Sequence, residues 1–308
     1  MKRFLLAVLL SFATVWPASN PARASEIWQV EQVSKVKKLK LPDEIVEQTM
    51  AAAPSGIDDM LLAIGPADSD VKQAWYSLPT GRYSHAILGD RTEGGALSVV
   101  RADGHRFTYR LDTLEVFEDL YPRIVDLDGD GKAEIVTILT SLSAGASIAL
   151  FGLNGDALIK KAASPFIGRS HRWLNIAGIA NFTGASTPEI AFVVTPHIGG
   201  TLAFARYSNG RFETFAAEKG FSNHVIRTSE LRLSATGDFN GDGRTDLALP
   251  SADRKTLRIM GFANLRLVEI ASAQLPAAID KAIAVSGIGR NAVLTVGLED
   301  GSVYEVRR

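Results

Sequence analysis

The chain contains no cysteine in its 308 residues. Disulfide bonds, thiolate nucleophiles, cysteine-ligated zinc and lipidation of a cysteine are therefore excluded. An excess of positive charge is also absent, since 33 Lys and Arg residues face 34 Asp and Glu residues. A nucleic-acid-binding protein usually carries a basic face, so we expect no nucleic-acid partner.

Common catalytic patterns are missing too. No serine lies in a G-x-S-x-G turn, and the five histidines do not show the H-x-x-x-H spacing of a metal site. We expect each histidine to be an ordinary surface or strand residue, and we assign no catalytic residue from the sequence. The histidines are His85, His105, His171, His197 and His224.

The N-terminus carries the features of a secretory signal. Lys2 and Arg3 precede an apolar stretch over residues 4–16, and residues 22–24 read A-R-A, a cleavage site. This pattern predicts a signal peptide over residues 1–24. A retained membrane anchor is the alternative, although the apolar stretch is short for a bilayer span. Cleavage would leave 30 basic and 34 acidic residues, a formal charge of −4, and no membrane span. We therefore expect a periplasmic or secreted protein.

Two acidic loops share one pattern. Residues 126–134 read DLDGDGKAE and residues 238–246 read DFNGDGRTD, with a glycine at position 6 of each loop. In such a loop the odd-numbered side chains point inward, the glycine permits a sharp turn, and the carbonyl at position 7 faces the ion. The predicted calcium ligands are Asp126, Asp128, Asp130, the carbonyl of Lys132 and Glu134 in the first loop, and Asp238, Asn240, Asp242, the carbonyl of Arg244 and Asp246 in the second.

The charge of each loop predicts how it binds. The first loop offers four carboxylates and the second offers three and an amide, so we expect tighter calcium binding at the first. Without an ion, carboxylates about 4–5 Å apart repel by about 1 kcal/mol per pair in water. Calcium would therefore have a structural role, because it neutralises the loop and fixes the strands on either side. The alternative is an acidic hairpin that needs no ion, which leaves the two matching copies unexplained.

The residues that follow each loop exclude an EF-hand, which needs a glutamate at position 12 and then a helix. Position 12 is Thr137 in the first copy and Leu249 in the second, and both lie in runs that predict strands. A strand, an acidic loop that ends at position 9 and a second strand resemble the FG-GAP or VCBS repeat of calcium-binding β-propellers related to the integrin α-subunit head. This resemblance implies a propeller with a surface that binds a protein or a glycan.

The acidic loop recurs at a regular interval. Its first position falls at residues 126, 181 and 238, which are 55 and 57 residues apart. The middle copy, residues 181–189 (NFTGASTPE), keeps the closing acid but has Ala185 at position 5, so we expect that it has lost the metal. Asn154-Gly155 and Asn209-Gly210 add hairpin signals to the second half of each repeat. Short strands at this period are typical of propeller blades.

We therefore expect an all-β fold, a β-propeller of about six four-stranded blades. Five blades are the alternative, and a β-sandwich is the main competing fold. The propeller is predicted over residues 57–308, after an N-terminal extension over residues 25–56. Because a propeller usually builds one blade from both ends of its chain, we expect an N-terminal strand to close the last blade.

The resemblance favours a calcium-stabilised, non-enzymatic module that binds an unidentified protein or glycan. One alternative is a polysaccharide-active lyase or hydrolase with its site in the central funnel, and another is a purely structural envelope protein. Histidine, arginine, tyrosine and acidic residues that converge with shifted pKa values would indicate the enzyme. A structural protein would lack a concave polar pocket.

The acidic loops predict a calcium-dependent stability. Asp128→Ala and Asp242→Ala should each lower Tm in calcium but change it little in EDTA, because a ligand matters only when the ion is bound. For the unmodified chain, calcium at about ten times its dissociation constant adds roughly 1.4 kcal/mol per site, a rise of a few degrees in Tm. Thermal melts of residues 25–308 in calcium, magnesium and EDTA measure this. Equal damage with and without calcium would mean that the loop acts through hairpin geometry alone.

Overall fold

The computed structural model describes residues 25–33, 51–89 and 91–308. The predicted signal peptide and residues 34–50 of the predicted extension lie outside these ranges. No helix within the described ranges is long and apolar enough to cross a membrane. The described chain is all-β, with 22 strands and a short 3-10 helix over Gly289–Asn291.

Most strands belong to five four-stranded antiparallel units, which we letter A to E. Unit A consists of β3 (Ala63–Ile64), β4 (Val71–Thr80), β5 (Glu93–Arg101) and β6 (Arg106–Arg110). Unit B consists of β8 (Arg123–Val125), β9 (Glu134–Ser141), β10 (Gly145–Asn154) and β11 (Ala157–Ala163). Unit C consists of β12 (Leu174–Ala180), β13 (Glu189–Val194), β14 (Thr201–Ser208) and β15 (Arg211–Lys219).

Units D and E follow the same pattern. Unit D consists of β16 (Ala235–Gly237), β17 (Asp246–Pro250), β18 (Thr256–Ala263) and β19 (Arg266–Gln274). Unit E consists of β20 (Ala284–Ser286), β21 (Val293–Gly297), β22 (Val303–Arg307) and, from the N-terminal end of the chain, β2 (Gln29–Gln32).

Two further strands connect the units. β7 (Glu115–Phe117) pairs with both β5 and β9 and so joins units A and B in one sheet. β1 (Glu26–Ile27) runs parallel to β19 at the edge of unit D. The N-terminal segment therefore contributes one strand to unit D and one to unit E.

The N-terminal strand pairs with the last strand of the chain, as the sequence analysis expects. β2 is antiparallel to β22, with Val30 opposite Val306. The described strands form five four-stranded units, and the number of propeller blades, six with five as the alternative, stays a prediction. Each of the two segments that look incomplete in the sequence pairs within one of these units. β3 and β4 pair with β5 and β6, and β2 supplies the fourth strand beside β22.

The hydrophobic core lies between neighbouring units. Apolar clusters join unit A to B, B to C, C to D and D to E. Phe151 of β10 packs edge-on against Phe117 of β7 with 5.6 Å between ring centroids, and Phe204 of β14 packs against Phe262 of β18 at 5.0 Å. Each buried side chain of this size contributes about 1.5–3 kcal/mol, so packing holds adjacent units together.

Antiparallel pairing sends the turns of every unit alternately to two ends. The turns between first and second strands and between third and fourth strands lie at one end, which we call the metal-loop end because it carries residues 126–134 and 238–246. The turns between second and third strands and the connections between units lie at the other end. We call it the histidine end because it carries His85, His171, His197 and His224.

A substitution at Trp28 measures how much the N-terminal segment stabilises units D and E. It lies between β1 and β2, is 4% exposed, and packs in the cluster that joins these units. Trp28→Ala should therefore cost about 3–5 kcal/mol of stability. The adjacent Ile27 is 88% exposed, so Ile27→Ala serves as the control and should change stability by less than about 0.5 kcal/mol. Urea denaturation measures both, and equal effects would show that Trp28 does not anchor the segment.

Candidate functional site

The first metal loop brings three of its predicted ligands together. One carboxylate oxygen from each of Asp126, Asp128 and Asp130 lies within 4.8 Å of the other two. Asp126 accepts backbone N–H bonds from Gly129 at 2.7 Å and Gly131 at 2.9 Å, which curls the loop around the carboxylates. Three hard oxygen donors at this spacing could hold a metal ion. A bound ion would neutralise them and fix the turn between β8 and β9.

The second metal loop has the same curl. Asp238 accepts N–H bonds from Gly241 at 2.7 Å and Gly243 at 2.9 Å. The side-chain oxygen of Asn240 accepts the N–H of Asp242 at 2.8 Å. The amide at position 3 therefore braces the loop and offers less charge to a cation than the carboxylate of the first loop.

The residues at position 7 were predicted to contribute carbonyl oxygens. The backbone N–H of Lys132 donates to Asp130 at 2.8 Å, and that of Arg244 donates to Asp242 at 2.9 Å. These bonds fix the orientation of the position-5 carboxylates. The two carbonyl groups stay predicted calcium ligands.

The acids at position 9 accept hydrogen bonds from the loop backbone on its buried side. Glu134 is fully buried, accepts the N–H of Leu127 at 2.9 Å and forms an ion pair with Lys161. Burial raises the pKa of Glu134, although Lys161 opposes this shift. Asp246 accepts the N–H of Phe239 at 3.0 Å, and burial raises its pKa to about 7. A role for either acid as a calcium ligand stays a prediction.

Four of the five histidines converge at the histidine end, although they come from four separate connections. The rings of His85 and His171 lie 5.1 Å apart, and so do those of His197 and His224. His105 lies at the metal-loop end, where its side chain is 72% exposed. The sequence analysis treated all five as ordinary residues and missed this cluster.

A buried carboxylate orients His85. Glu118 is 0% exposed, and its Oε1 lies 2.6 Å from Nδ1 of His85, while its Oε2 accepts the hydroxyl of Thr140 at 3.0 Å. With Nδ1 protonated and donating to Glu118, Nε2 of His85 carries the lone pair and can accept a proton. The side chain of His85 is 13% exposed, so this half of the cluster reaches the surface. A histidine held by a carboxylate in this way is suited to general base chemistry.

Tyr83 and His171 complete this half of the cluster. Their rings stack at 5.2 Å, and the Tyr83 hydroxyl accepts the backbone N–H of His171 at 2.9 Å. Burial and then the charge of Glu118 raise the pKa of Tyr83, so the hydroxyl stays protonated. The guanidinium of Arg172 donates to the carbonyl of His171 at 2.8 Å and adds positive charge at the rim.

The other half of the cluster is built around Trp173. Its Nε1 donates to the backbone oxygen of Glu118 at 2.9 Å and so ties the two halves together. Its ring lies 4.7 Å from that of His224. Nε2 of His197 lies 2.9 Å from Nδ1 of His224, and Nε2 of His224 lies 2.9 Å from the carbonyl of Thr228. Since a carbonyl only accepts, His224 carries its proton on Nε2 and accepts from His197 on Nδ1.

These two histidines are neutral. Desolvation by burial and then the charge of Arg254 lower the pKa of His197 to about 4. Desolvation and then His197 lower the pKa of His224 to about 3. At neutral pH the pair is therefore uncharged and internally bonded, in contrast to the pairing of His85 with a carboxylate.

Backbone strain concentrates at the same end. Among the described residues, ten that are not glycine have a positive φ, and five of these lie in the connections of the histidine end. Side chains disfavour this conformation, so it persists only where the surroundings enforce it, often at functional sites. The five residues, with φ between 49° and 64°, are Ala86, His171, Thr195, Arg227 and Arg254.

A cavity of about 700 Å³ opens beside the cluster. Thr228, whose carbonyl holds His224, lines it, and so does Leu120, which follows Glu118 closely in the chain. This volume is ordinary for a ligand pocket. The charged residues of its lining are Asp58, Asp59, Glu230, Arg232, Asp280 and Lys281.

Comparisons with known proteins support an assignment of the fold and nothing finer. No protein-family model matches the sequence, and no curated protein matches it significantly. The crystal structure of rhamnogalacturonan lyase YesW resembles this fold with a TM-score of 0.52 and 15% identity, over 83% of this chain and 51% of that one. The chain thus spans about half the length of that lyase. The likeness indicates a propeller-like all-β protein.

Two weaker structural matches are an exotype rhamnogalacturonan lyase, YesX, and a putative 6-phosphogluconolactonase from Bacteroides fragilis NCTC 9343. The first has a TM-score of 0.42 and 13% identity, over 87% of this chain and 57% of that one. The second has a TM-score of 0.40 and 17% identity, over 77% and 63%. Because these two TM-scores are low, the assignment of the fold rests on the first match and on the strand pairing.

His224 makes stability depend on pH. A histidine in the unfolded chain titrates near pH 6.5, whereas the pKa of folded His224 is about 3. Between these values the unfolded chain binds more protons, so stability is full above about pH 6.5 and falls as the pH drops toward 3. Between about pH 7 and about pH 5, His224 should lower the free energy of unfolding by an amount on the order of 1–2 kcal/mol. His224→Gln should abolish this decrease.

Urea denaturation across this pH range measures the effect. His105→Gln is the matched control, because it removes an exposed imidazole at the opposite end of the units. If the stability of His224→Gln depended on pH as that of the unmodified chain does, His224 would not be buried in a neutral state.

Proposed function

We propose that this protein is an exported, polysaccharide-active enzyme that cleaves an acidic glycan by β-elimination at the histidine end. The observation that carries the proposal is the buried Glu118, which holds His85 beside Tyr83 and His171. Histidine, tyrosine, arginine and a buried acid converge there, and this combination separates an enzyme from a simple binding surface. The fold likeness to a rhamnogalacturonan lyase is compatible with this class of substrate.

The proposal includes a closed ring of five blades, formed by units A to E and completed by β2. Two observations support it: the apolar clusters link the units in chain order, and β2 joins the N-terminal segment to unit E. The 700 Å³ cavity is lined by segments that precede the first strands of units A, B, D and E. First strands are innermost in a propeller blade, so the cavity would lie near the ring axis.

Calcium at the two metal loops belongs to the proposal as a structural ion. The loops lie at the end opposite His85, so a bound ion would not contact the reacting atoms. When bound, it would neutralise the carboxylates and stiffen the turns of units B and D. Export is supported by the predicted signal peptide over residues 1–24.

The chemistry follows from the protonation states of two side chains. In a uronate unit, the proton on C5 lies next to the carboxylate. Nε2 of His85 accepts this proton, a double bond forms between C4 and C5, and the C4–O bond breaks with its electron pair going to the leaving oxygen. Tyr83, still protonated, donates its proton to that oxygen, and Arg172 supplies positive charge toward the uronate carboxylate.

Elimination fits this cluster better than hydrolysis does. Glycoside hydrolysis uses two carboxyl groups that flank the scissile bond. Glu118 is fully buried and already bonded to His85 and Thr140, so it positions the base and does not itself face a substrate. The group that Glu118 presents to the surface is an imidazole base.

A second candidate is a non-enzymatic module that binds a glycan or a protein. The neutral pair of His197 and His224, packed on Trp173, favours it because these side chains form a rigid wall that cannot act as a base at neutral pH. The purely structural protein is less well supported, since the histidine end has a concave pocket with charged lining.

His85→Gln decides between the enzyme and the module. With residues 25–308 in calcium, we expect turnover of an acidic polysaccharide, with rhamnogalacturonan, pectin and alginate as the first substrates, measured by the ultraviolet absorbance of the unsaturated uronate product. Loss of a general base should lower kcat by about 10²-fold or more. The control is His105→Gln at the opposite end, which should retain full activity.

Binding of the same polysaccharides is measured in parallel. Binding without any turnover in the unmodified chain would overturn the enzyme and support the module. Full activity of His85→Gln would remove His85 as the base.

A further inference from the structure

The middle copy of the repeated loop, residues 181–189, has lost the acceptors that its siblings use. In the two metal loops, the backbone N–H groups at positions 4, 5 and 6 all donate to side-chain oxygens at positions 1 and 3. In the middle copy, Asn181 turns its amide to donate to the carbonyl of Ala185 at 3.0 Å. Within the part of the chain that the structure describes, the N–H groups at the same three positions, Gly184, Ala185 and Ser186, have no acceptor.

The backbone of this loop matches that of its siblings at position 4, where Gly129, Gly184 and Gly241 have φ of 77°, 79° and 78°. It differs at position 6, where Gly131 and Gly243 have a positive φ and Ser186 does not. The middle loop therefore keeps the left-handed turn at Gly184 and presents N–H donors where the other two loops present carboxylates. Successive N–H groups around a left-handed residue form a nest that attracts anions.

Two arginines lie against this loop. Arg206 of β14 forms an ion pair with the buried Glu189 at 2.8 Å and lies 4.3 Å from the ring centroid of Phe215. Its Nε–H is buried and has no hydrogen-bond partner among the described residues. Arg244, from the neighbouring metal loop, brings its Nε to 3.7 Å from the position that a Cβ on Gly184 would take. Glu189 neutralises the charge of Arg206, whereas the guanidinium of Arg244 donates to the carbonyl of Phe262 at 2.9 Å and forms no ion pair among the described residues.

Arg206 and the loop border a cavity of about 430 Å³. Its lining combines donors with the apolar side chains of Phe215 and Leu265. A cavity of this size accommodates a group as large as a single sugar. It lies at the metal-loop end, so it is separate from the histidine cluster. The residues that line it are Thr183, Gly184, Ala185, Arg206, Phe215 and Leu265.

We propose that residues 181–189, with Arg206 and Arg244, form a binding site for an oxyanion, the carboxylate or sulfate of an acidic sugar. The repeated loop that offers oxygens to a cation in units B and D offers N–H groups to an anion in unit C. The apolar part of the cavity covers the sugar ring, and the guanidinium groups pair with its charged substituent. The adjacent metal loop, whose Gly129 lies against Thr187, repels an anion while its carboxylates are unneutralised, so the site works best with calcium present.

Ala185→Asp is the sharpest test, because it restores a carboxylate at position 5 that accepts the loop N–H groups and repels an anion. Isothermal titration calorimetry of residues 25–308 in calcium uses sodium sulfate and sodium galacturonate as probes, with ionic strength held constant by sodium chloride. We expect saturable binding at one site, weakened about tenfold or more in Ala185→Asp. Arg244→Gln, which leaves the loop intact, should weaken binding several-fold.

Ala157→Asp is the matched control. Ala157 is exposed at the start of β11, at the same end of the neighbouring unit, so the substitution adds the same charge away from the loop. The affinity of Ala157→Asp for both probes should equal that of the unmodified chain. Saturable binding of sulfate alone assigns the site to a sulfate group, and binding of galacturonate alone assigns it to a sugar carboxylate.

Absence of saturable binding for both probes would overturn the proposal. Equal weakening in Ala185→Asp and Ala157→Asp would overturn it as well, because the effect would then be one of general charge. The result does not depend on whether the histidine end is catalytic, since both probes are tested for binding and Ala185 lies at the opposite end.

Discussion

The metal-loop end depends on a buried carboxylate at the first residue of a second strand. Glu134, Glu189 and Asp246 begin β9, β13 and β17, and each is at most 1% exposed. Each accepts a backbone N–H from the loop before it. A hydrogen bond to a charged group contributes about 1.5–3 kcal/mol, and a donor left unpaired in a buried place costs a similar amount. The acid therefore fixes the path of the loop independently of what the loop binds, and positions 1, 3 and 5 are left to vary.

The order of the antiparallel strands places two kinds of loop at the two ends of the units. Turns within a repeat are short and similar, so they can carry the same loop several times, as units B, C and D do. Connections between units are longer and differ from one another, as residues 220–234 and 275–283 show. Strained residues such as His171 and Arg227 lie in these irregular segments. A scaffold of regular strands can hold them in place because its packing energy far exceeds the strain, which is of order 1–3 kcal/mol per residue.

The sequence predicts the parts of this protein that depend on local pattern. The strands around residues 126–134, the curl of that loop and the pairing of β2 with β22 all follow from apolar runs, turn chemistry and the need to cover sheet edges. The number of units depends on how short pieces such as β3 and β7 pair, and a two- or three-residue strand has no periodicity to reveal it. The histidine cluster is not predictable by spacing, because its members lie in four connections. A buried acid such as Glu118, flanked by Phe117 and Asp119, gives no signal before its partner is known.

The two halves of the histidine cluster differ in one respect that assigns their roles. The carboxylate of Glu118 bonds Nδ1 of His85, so Nε2 is the nitrogen that can take up a proton in a reaction. His197 and His224 have only each other and a carbonyl, and burial disfavours their charged forms. The first half can therefore carry chemistry, whereas the second can shape and orient. Trp173 bonds to the backbone of Glu118 while it packs on His224, so one side chain joins the carboxylate that orients His85 to the neutral pair.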